Sequence, residues 1–348
     1  MTATAERVTT LTVEEAQRLI APHVLDTPLT LYDVVGHHNE LWTKDEGTQR
    51  TGSFKLRGAL VLASVLKSEG HDKVVTASAG NHAAGVAASA RILDMRAKIY
   101  VPESTPEAKR ANIRRIGGSA VELVVAGQDF DESAEMAYAE SERHDLPYLP
   151  PFDHPLVAAG QGTVAREVLE ALPHADRLFV PVGGGGLLAG TLQAVEEMGL
   201  DTNVVGVQFS RNQSLEKSLK AGELVTIDSP DSLCEGASVR TTGQHSLERA
   251  LRHSDRLEFI TVDTADIGRE LLHQDIYRQA LAPALGSLAF ENFPETTGVL
   301  ASAGARKYAS EYPQVGGEQW VSLVSGSNAD PGREAIAMAA WKISPVRF

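Results

Sequence analysis

Residues 177–195 read RLFVPVGGGGLLAGTLQAV, and no other stretch limits the possible folds as strongly. Arg177 to Val182 is an apolar, β-favouring run that enters Gly183, Gly184, Gly185 and Gly186 without a spacer, and a helical pattern starts at Leu187. Consecutive glycines reach backbone conformations closed to other residues, so the chain can turn sharply and aim several N–H groups at one point. The helix that follows adds the positive end of its dipole, which completes an anion site. A plain strand-to-helix turn needs one glycine or two. The spacing matches neither GxGxxG nor GxxxxGK(S/T), and no P-loop lysine follows. Dinucleotides and nucleoside triphosphates are therefore disfavoured, and a small phosphorylated ligand fits better.

The same strand-then-helix order recurs along the chain. Lys73 to Ala77, Lys98 to Val101, Ala120 to Val125, Val204 to Gln208, Leu257 to Thr261 and Trp320 to Val324 read as further strands, with helical patterns in most gaps. Gly80 to about Leu93 reads as one helix. Another is expected to begin with Thr105 as its cap and Pro106 as its first residue. This alternation predicts an α/β fold of open, mostly parallel twisted sheets flanked by helices. Ligands in such folds bind beyond the carboxyl ends of strands, so the loops there are where chemistry is expected. At ~150 residues per domain, the 348 residues suggest about two domains.

Composition excludes several classes. Lysine and arginine total 32 against 46 acidic residues, a net charge of −14, and no local basic patch offsets it, so nucleic-acid binding is not expected. No apolar run approaches the ~18 residues of a membrane span. The first ten residues, MTATAERVTT, lack the apolar stretch of a signal peptide. Cys234 is the sole cysteine, which excludes an internal disulfide and makes the cytoplasm the expected location.

A second loop candidate is Thr51-Gly-Ser-Phe-Lys55-Leu-Arg-Gly-Ala59, which places Lys55 at a helix start between apolar Phe54 and Leu56. A lysine in apolar surroundings loses solvation of its charge, so its amine becomes free near neutral pH. That is the requirement for a Schiff-base lysine, although most lysines are simply solvated. Ser78-Ala-Gly-Asn-His82 and Ser325-Gly-Ser-Asn328 complete the set, and each alone reads equally well as a helix cap.

Taken in order, SFKLRGA, SAGNH, GGGG and SGSN resemble the threonine/serine dehydratases, pyridoxal-phosphate enzymes of the tryptophan-synthase-β-like fold (fold type II). Leu41-Trp-Thr-Lys-Asp-Glu46, Val101-Pro-Glu-Ser-Thr-Pro106, Asp153-His-Pro155 and Ala159-Gly-Gln-Gly-Thr163 match as well, so the resemblance runs from about Leu25 to Asn328. It implies pyridoxal 5'-phosphate as cofactor, with its aldehyde on Lys55 and Phe54 beside its ring. Gly183, Gly184, Gly185, Gly186 and the amide of Leu187 would hold its phosphate. Asn81 would meet its phenolic oxygen, and Ser325 its pyridine nitrogen. Ser78, Ala79, Gly80, Asn81 and His82 would form the substrate loop, with Lys55 and Ser78 as the catalytic pair. The implied reaction is deamination of L-threonine or L-serine to 2-oxobutanoate or pyruvate and ammonia. A dehydratase of another β-hydroxy amino acid, such as 3-hydroxyaspartate or a β-aryl serine, is the next reading. A non-catalytic protein that keeps the cofactor is weaker, since Lys55, Asn81 and Ser325 are all in place.

Further expectations come with the resemblance. Serine racemases of this fold have a serine directly before Gly-Asn-His; here it is Ala79, which disfavours racemisation. Residues 329–348 are too few for the regulatory domain of biosynthetic threonine dehydratases. Gln208 stands where the family often has a cation-binding glutamate, so no metal site is expected. Glu295 either lies near the cofactor ring or is an ordinary acid at a helix start. The expected division is a large cofactor domain of residues 1–67 and 151–348 and a small substrate-loop domain of residues 68–150. A homodimer or homotetramer acting on a small amino acid is the expected assembly.

Overall fold

The computed structural model describes residues 10–228, 230–285, 293–328 and 331–343. Its strands are β1 (Leu29–Val35), β2 (Asn39–Asp45), β3 (Lys73–Ala77), β4 (Arg96–Val101), β5 (Val121–Val125), β6 (Arg177–Pro181), β7 (Asn203–Phe209), β8 (Leu257–Val262) and β9 (Gln319–Val324). They form a six-stranded sheet ordered β1-β2-β9-β6-β7-β8 and a three-stranded sheet ordered β3-β4-β5. All pairings are parallel except the β1–β2 hairpin. Each strand expected from sequence is present within a residue or two. The inner strands are buried on both faces, as β6 and β7 show, and that is why they read as continuous apolar runs.

The hairpin was not legible in the sequence. β1 is an edge strand of mixed exposure, and β2 buries Asn39, Lys44 and neighbouring Glu46 beside Leu41. Polar residues hide the strand pattern there. A smaller correction concerns the helix after β4, which runs Glu107–Gly117 with Pro106 at the cap position and no side-chain cap bond. Thr105 lies one residue outside. Proline has no N–H to leave unsatisfied at a helix start, so it takes that place without a capping hydroxyl.

Four helices pack in a row and fix the spacing of the loops they carry. Helix Asn81–Ile92 meets helix Lys55–Ser68 at Gly85, where a Cβ would lie 3.0 Å from the carbonyl oxygen of Lys55. Helix Lys55–Ser68 meets helix Pro155–Ala171 through Gly58 and Gly160, where a Cβ on Gly160 would lie 2.6 Å from the Gly58 Cα. Helix Pro155–Ala171 in turn meets helix Gly186–Met198, where a Cβ on Gly190 would lie 2.1 Å from the Ala158 carbonyl oxygen. Backbone thus rests on backbone at each crossing. The first helix starts at the SAGNH loop, the second at Lys55 and the fourth at the glycine loop, so these contacts set the geometry of the site.

Candidate active site

Lys55 opens its helix directly after Phe54, the N-cap residue. Its Nζ donates to the carbonyl oxygen of Pro151 at 2.8 Å and lies 5.2 Å from the centre of the Phe54 ring. Burial without a counter-charge lowers its amine to a pKa of about 8. Two residues on, the fully buried Arg57 locks the helix start. Its Nε and Nη2 donate to the two carboxylate oxygens of Glu46 at 2.8 Å each, and Nη1 and Nη2 grip Glu167 at 2.6 and 2.9 Å. Lys44 Nζ also reaches Glu167, at 2.7 Å. A bidentate guanidinium–carboxylate pair fixes orientation as well as distance. Sequence reasoning missed this cluster, because its members come from β2 and three different segments; Lys44, Glu46 and Arg57 were visible only as parts of two separate matching strings.

The expected residues do come together. The Phe54 amide donates to the Ser325 carbonyl oxygen at 3.2 Å, so the SGSN loop lies against the Lys55 turn. Ser325 is buried, with Oγ donating to the Thr297 carbonyl oxygen at 3.3 Å. Ser78 directly follows β3, and its Oγ accepts from the Gly80 amide at 3.3 Å. Asn81 spans the gap between the two sheets. Its Nδ2 donates to Glu295 Oε1 at 2.8 Å, and its Oδ1 accepts from Asn328 Nδ2 at 2.6 Å. Glu295 is therefore no ordinary helix-start acid. Burial, opposed by the Asn81 hydrogen bond, raises its carboxyl to a pKa of about 7. The His82 ring points elsewhere: Nε2 lies 3.2 Å from Thr76 Oγ1 and 3.0 Å from the Leu149 carbonyl oxygen. Burial and the Lys55 charge lower its pKa to about 3, so it stays neutral wall structure and leaves only its backbone to face a ligand.

The glycine loop follows β6, and Gly185, at φ +89°, caps helix Gly186–Met198. Among the described residues, the amides of residues 183–187 donate to no protein group, while the Gly184 carbonyl accepts from the Gly243 amide and Thr242 Oγ1 at 3.1 Å each. Carbonyls are thus tied back and amides left for an anion. Phe152, unremarked in the sequence, packs over the loop: a Cβ on Gly184 would fall 2.3 Å from its ring. Since Phe152 follows Pro151, the same segment touches both Lys55 and the glycine loop. Gln208 has both amide atoms engaged, donating to the Asn212 carbonyl and accepting from the Glu216 amide.

Residues 20–273 match the family of pyridoxal-phosphate-dependent enzymes. The chain belongs to that family. It is similar to the biosynthetic L-threonine dehydratase of Pasteurella multocida, 36% identical over 291 residues, which are 83% of this chain and 53% of the relative. It is also similar to that of Corynebacterium glutamicum, 34% identical over 342 residues, covering 96% and 75% of the two chains. Against several curated relatives, including the Pasteurella protein, the chain spans about half the relative's length. The solved structure of the processed form of threonine deaminase isoform 2 from Solanum lycopersicum superposes with a TM-score of 0.82 at 29% identity, covering 97% of this chain and 98% of that one. Maize serine racemase superposes with a TM-score of 0.76 at 26% identity, covering 94% and 96%. The fold is that of the tryptophan-synthase-β-like enzymes, and the cofactor is pyridoxal 5'-phosphate. The residues fit that group, with free amides placed for a phosphate and a desolvated amine placed for an aldehyde.

Proposed function

We propose that this family member is a lyase that deaminates L-threonine and L-serine, eliminating the β-hydroxyl as water and taking water back as ammonia leaves, to give 2-oxobutanoate and pyruvate. The observation that carries this reading is the joining of Lys55, the SAGN loop, the glycine loop and Ser325 through short contacts, with a hydroxyl at Ser325 rather than a carboxylate. The relatives named threonine dehydratase and threonine deaminase support it. Pyridoxal phosphate, when bound, supplies the electron sink for bond breaking at the substrate α-carbon. In this reading the Gly183–Leu187 amides hold the phosphate, Phe54 flanks the ring and Ser325 meets its nitrogen. Ser325 is a neutral partner, so it does not hold a proton on that nitrogen as a carboxylate would, and prompt loss of a β-hydroxyl is favoured over transamination. Lys55, close to its pKa at neutral pH, would hold the aldehyde and, once the substrate amine has displaced it, would be free to take the α-proton. Asn81 orients the cofactor's phenolic oxygen, and Ser78 with the amides of residues 79–82 binds the substrate carboxylate at a helix N-terminus.

Residues 68–150, which contain β3 to β5, would form a small domain over a large domain of residues 1–67 and 151–348 and close on the substrate. A homodimer or homotetramer in the cytoplasm is part of the same proposal; the sole cysteine, Cys234, is buried and free, which suits a reducing setting. A screen of β-hydroxy amino acids for 2-oxo acid release tests the reaction, with borohydride trapping to locate the cofactor. Threonine and serine should lead the screen, and the label should sit on the peptide containing Lys55. Label elsewhere, or release only from other β-hydroxy amino acids, would overturn the assignment.

A further inference from the structure

Asp153 follows the two residues of its segment that touch the site, Pro151 at the Lys55 amine and Phe152 over the glycine loop. It is exposed, so packing does not account for it, yet both of its carboxylate oxygens are engaged. Oδ2 accepts from the Gln244 amide at 3.1 Å and Oδ1 from the His245 amide at 2.9 Å. These amides open helix Gln244–Arg252, whose cap residue, Gly243, has no side chain to offer. A Cβ on Gly243 would lie 2.5 Å from Asp153 Oδ1. The helix is therefore capped from outside, by an acid 91 residues away in sequence. The same turn reaches the glycine loop, since the Gly243 amide and Thr242 Oγ1 both donate to the Gly184 carbonyl at 3.1 Å. In a trans peptide the carbonyl and the next N–H point in opposite directions, so tying back this carbonyl aims the Gly185 amide to the other side.

We infer that Asp153 is a positioning residue for the cofactor: by holding the 242–245 turn against segment 151–154 it sets the glycine loop, and the phosphate there, at a fixed distance from Lys55. This rests on the placement of the phosphate at that loop proposed above. Both bonds are charge-assisted and draw on the positive end of a helix, which makes the link stiff. The segment needs such an anchor because its other end belongs to the β3–β5 unit. The Val75 amide donates to the Pro147 carbonyl and the Leu149 amide to the Val75 carbonyl, at 2.9 Å each, so residues 147–149 continue that sheet. A displacement of β3 is passed down the segment towards Pro151, and Asp153 is where it stops. The carboxylate bonds end on the turn, so the residue acts through the glycine loop and not on the reacting atoms.

The test uses the cofactor-loaded protein as wild type, Asp153→Asn, Thr242→Val and the double variant. Two quantities are read: the cofactor dissociation constant, from loss of its absorbance on dilution, and the phosphorus NMR resonance of its phosphate. Asparagine keeps the size of the side chain but loses the charge and one acceptor, and a lost charge-assisted hydrogen bond is worth a factor of about five or more. Asp153→Asn should weaken cofactor binding by about that factor and move the phosphorus resonance. Thr242→Val, which removes one hydrogen bond to the Gly184 carbonyl, should do the same in kind. Because both act on one carbonyl, the double variant should lose less than the sum. A lower melting temperature in Asp153→Asn with affinity and resonance unchanged, while Thr242→Val shifts both, would make Asp153 a helix cap only and overturn the inference. Additive losses, or a loss that Thr242→Val does not share, would overturn it too. No change in either variant would show that the phosphate lies elsewhere, and the inference would fall together with that placement.

Discussion

Glu295 shows how a single partly buried residue couples the site to pH. A carboxyl raised from its ordinary 4.5 to about 7 is protonated in the folded protein where it would be ionised in the unfolded chain. Its contribution is fully present below about pH 4.5, fades as pH rises towards 7 and is a constant cost above that. Glu295→Gln keeps an oxygen for Asn81 Nδ2 and removes the titration. The variant should be more stable than wild type above pH 7, by about 1–3 kcal/mol, with the two curves converging towards pH 4.5. Urea unfolding of the cofactor-free protein across that range reads this directly, and parallel curves would refute it. Ala79 carries a second residue-level expectation. It stands beside Ser78 with no proton to give or take, so L-serine should yield pyruvate with little D-serine on chiral analysis. D-serine forming as fast as pyruvate would contradict the elimination reading. Lys55, Asn81 and Ser325 were visible in the sequence because their motifs are local. The Glu295 contact to Asn81 was not, because the partners are 214 residues apart and neither position alone calls for the other.

Strands such as β6 and β7 could be read directly because burial on both faces forces an unbroken apolar run, whereas the β1–β2 hairpin escaped because its polar residues serve the Arg57 cluster. Among the helices, the Ala159-Gly-Gln-Gly-Thr163 segment was legible only as a matching string. Its physical meaning is the crossing of helix Pro155–Ala171 with helix Lys55–Ser68, where Gly160 lies on Gly58. A methyl at Gly160 would sit 2.6 Å from the Gly58 Cα and 2.8 Å from the Arg57 carbonyl oxygen, and backbone cannot move aside as a side chain can. Gly160→Ala should therefore cost about 1–3 kcal/mol through overpacking and also shift the turn that carries Lys55. The expected outcome is a lower melting temperature together with a displaced absorbance maximum of the bound cofactor. A spectrum and stability equal to wild type would mean that the helix pair tolerates separation and does not set the lysine's position.

At the scale of the whole molecule, the site depends on bonds between the β3–β5 unit and the rest of the chain, which few sequence features announce. Asn81 with Glu295 and Asn328 makes one such link, and Lys109 Nζ with Glu235 makes another at 2.7 Å on the rim. The rim pair is partly exposed, with side chains 30% and 42% accessible, so it contributes at most about 1 kcal/mol and weakens with salt. A contribution of that size is small against global stability but worth about fivefold in an open–closed equilibrium. Lys109→Gln should then leave the melting temperature within a degree or two and kcat nearly unchanged, because no group at Lys55 is touched. The KM for threonine should rise about two- to fivefold at low ionic strength, since substrate binding must supply the closure that the ion pair no longer favours. In ~1 M salt, where the Debye length falls to about 3 Å, wild type should approach the variant's KM. Equal KM values at low salt would show that closure does not draw on this contact.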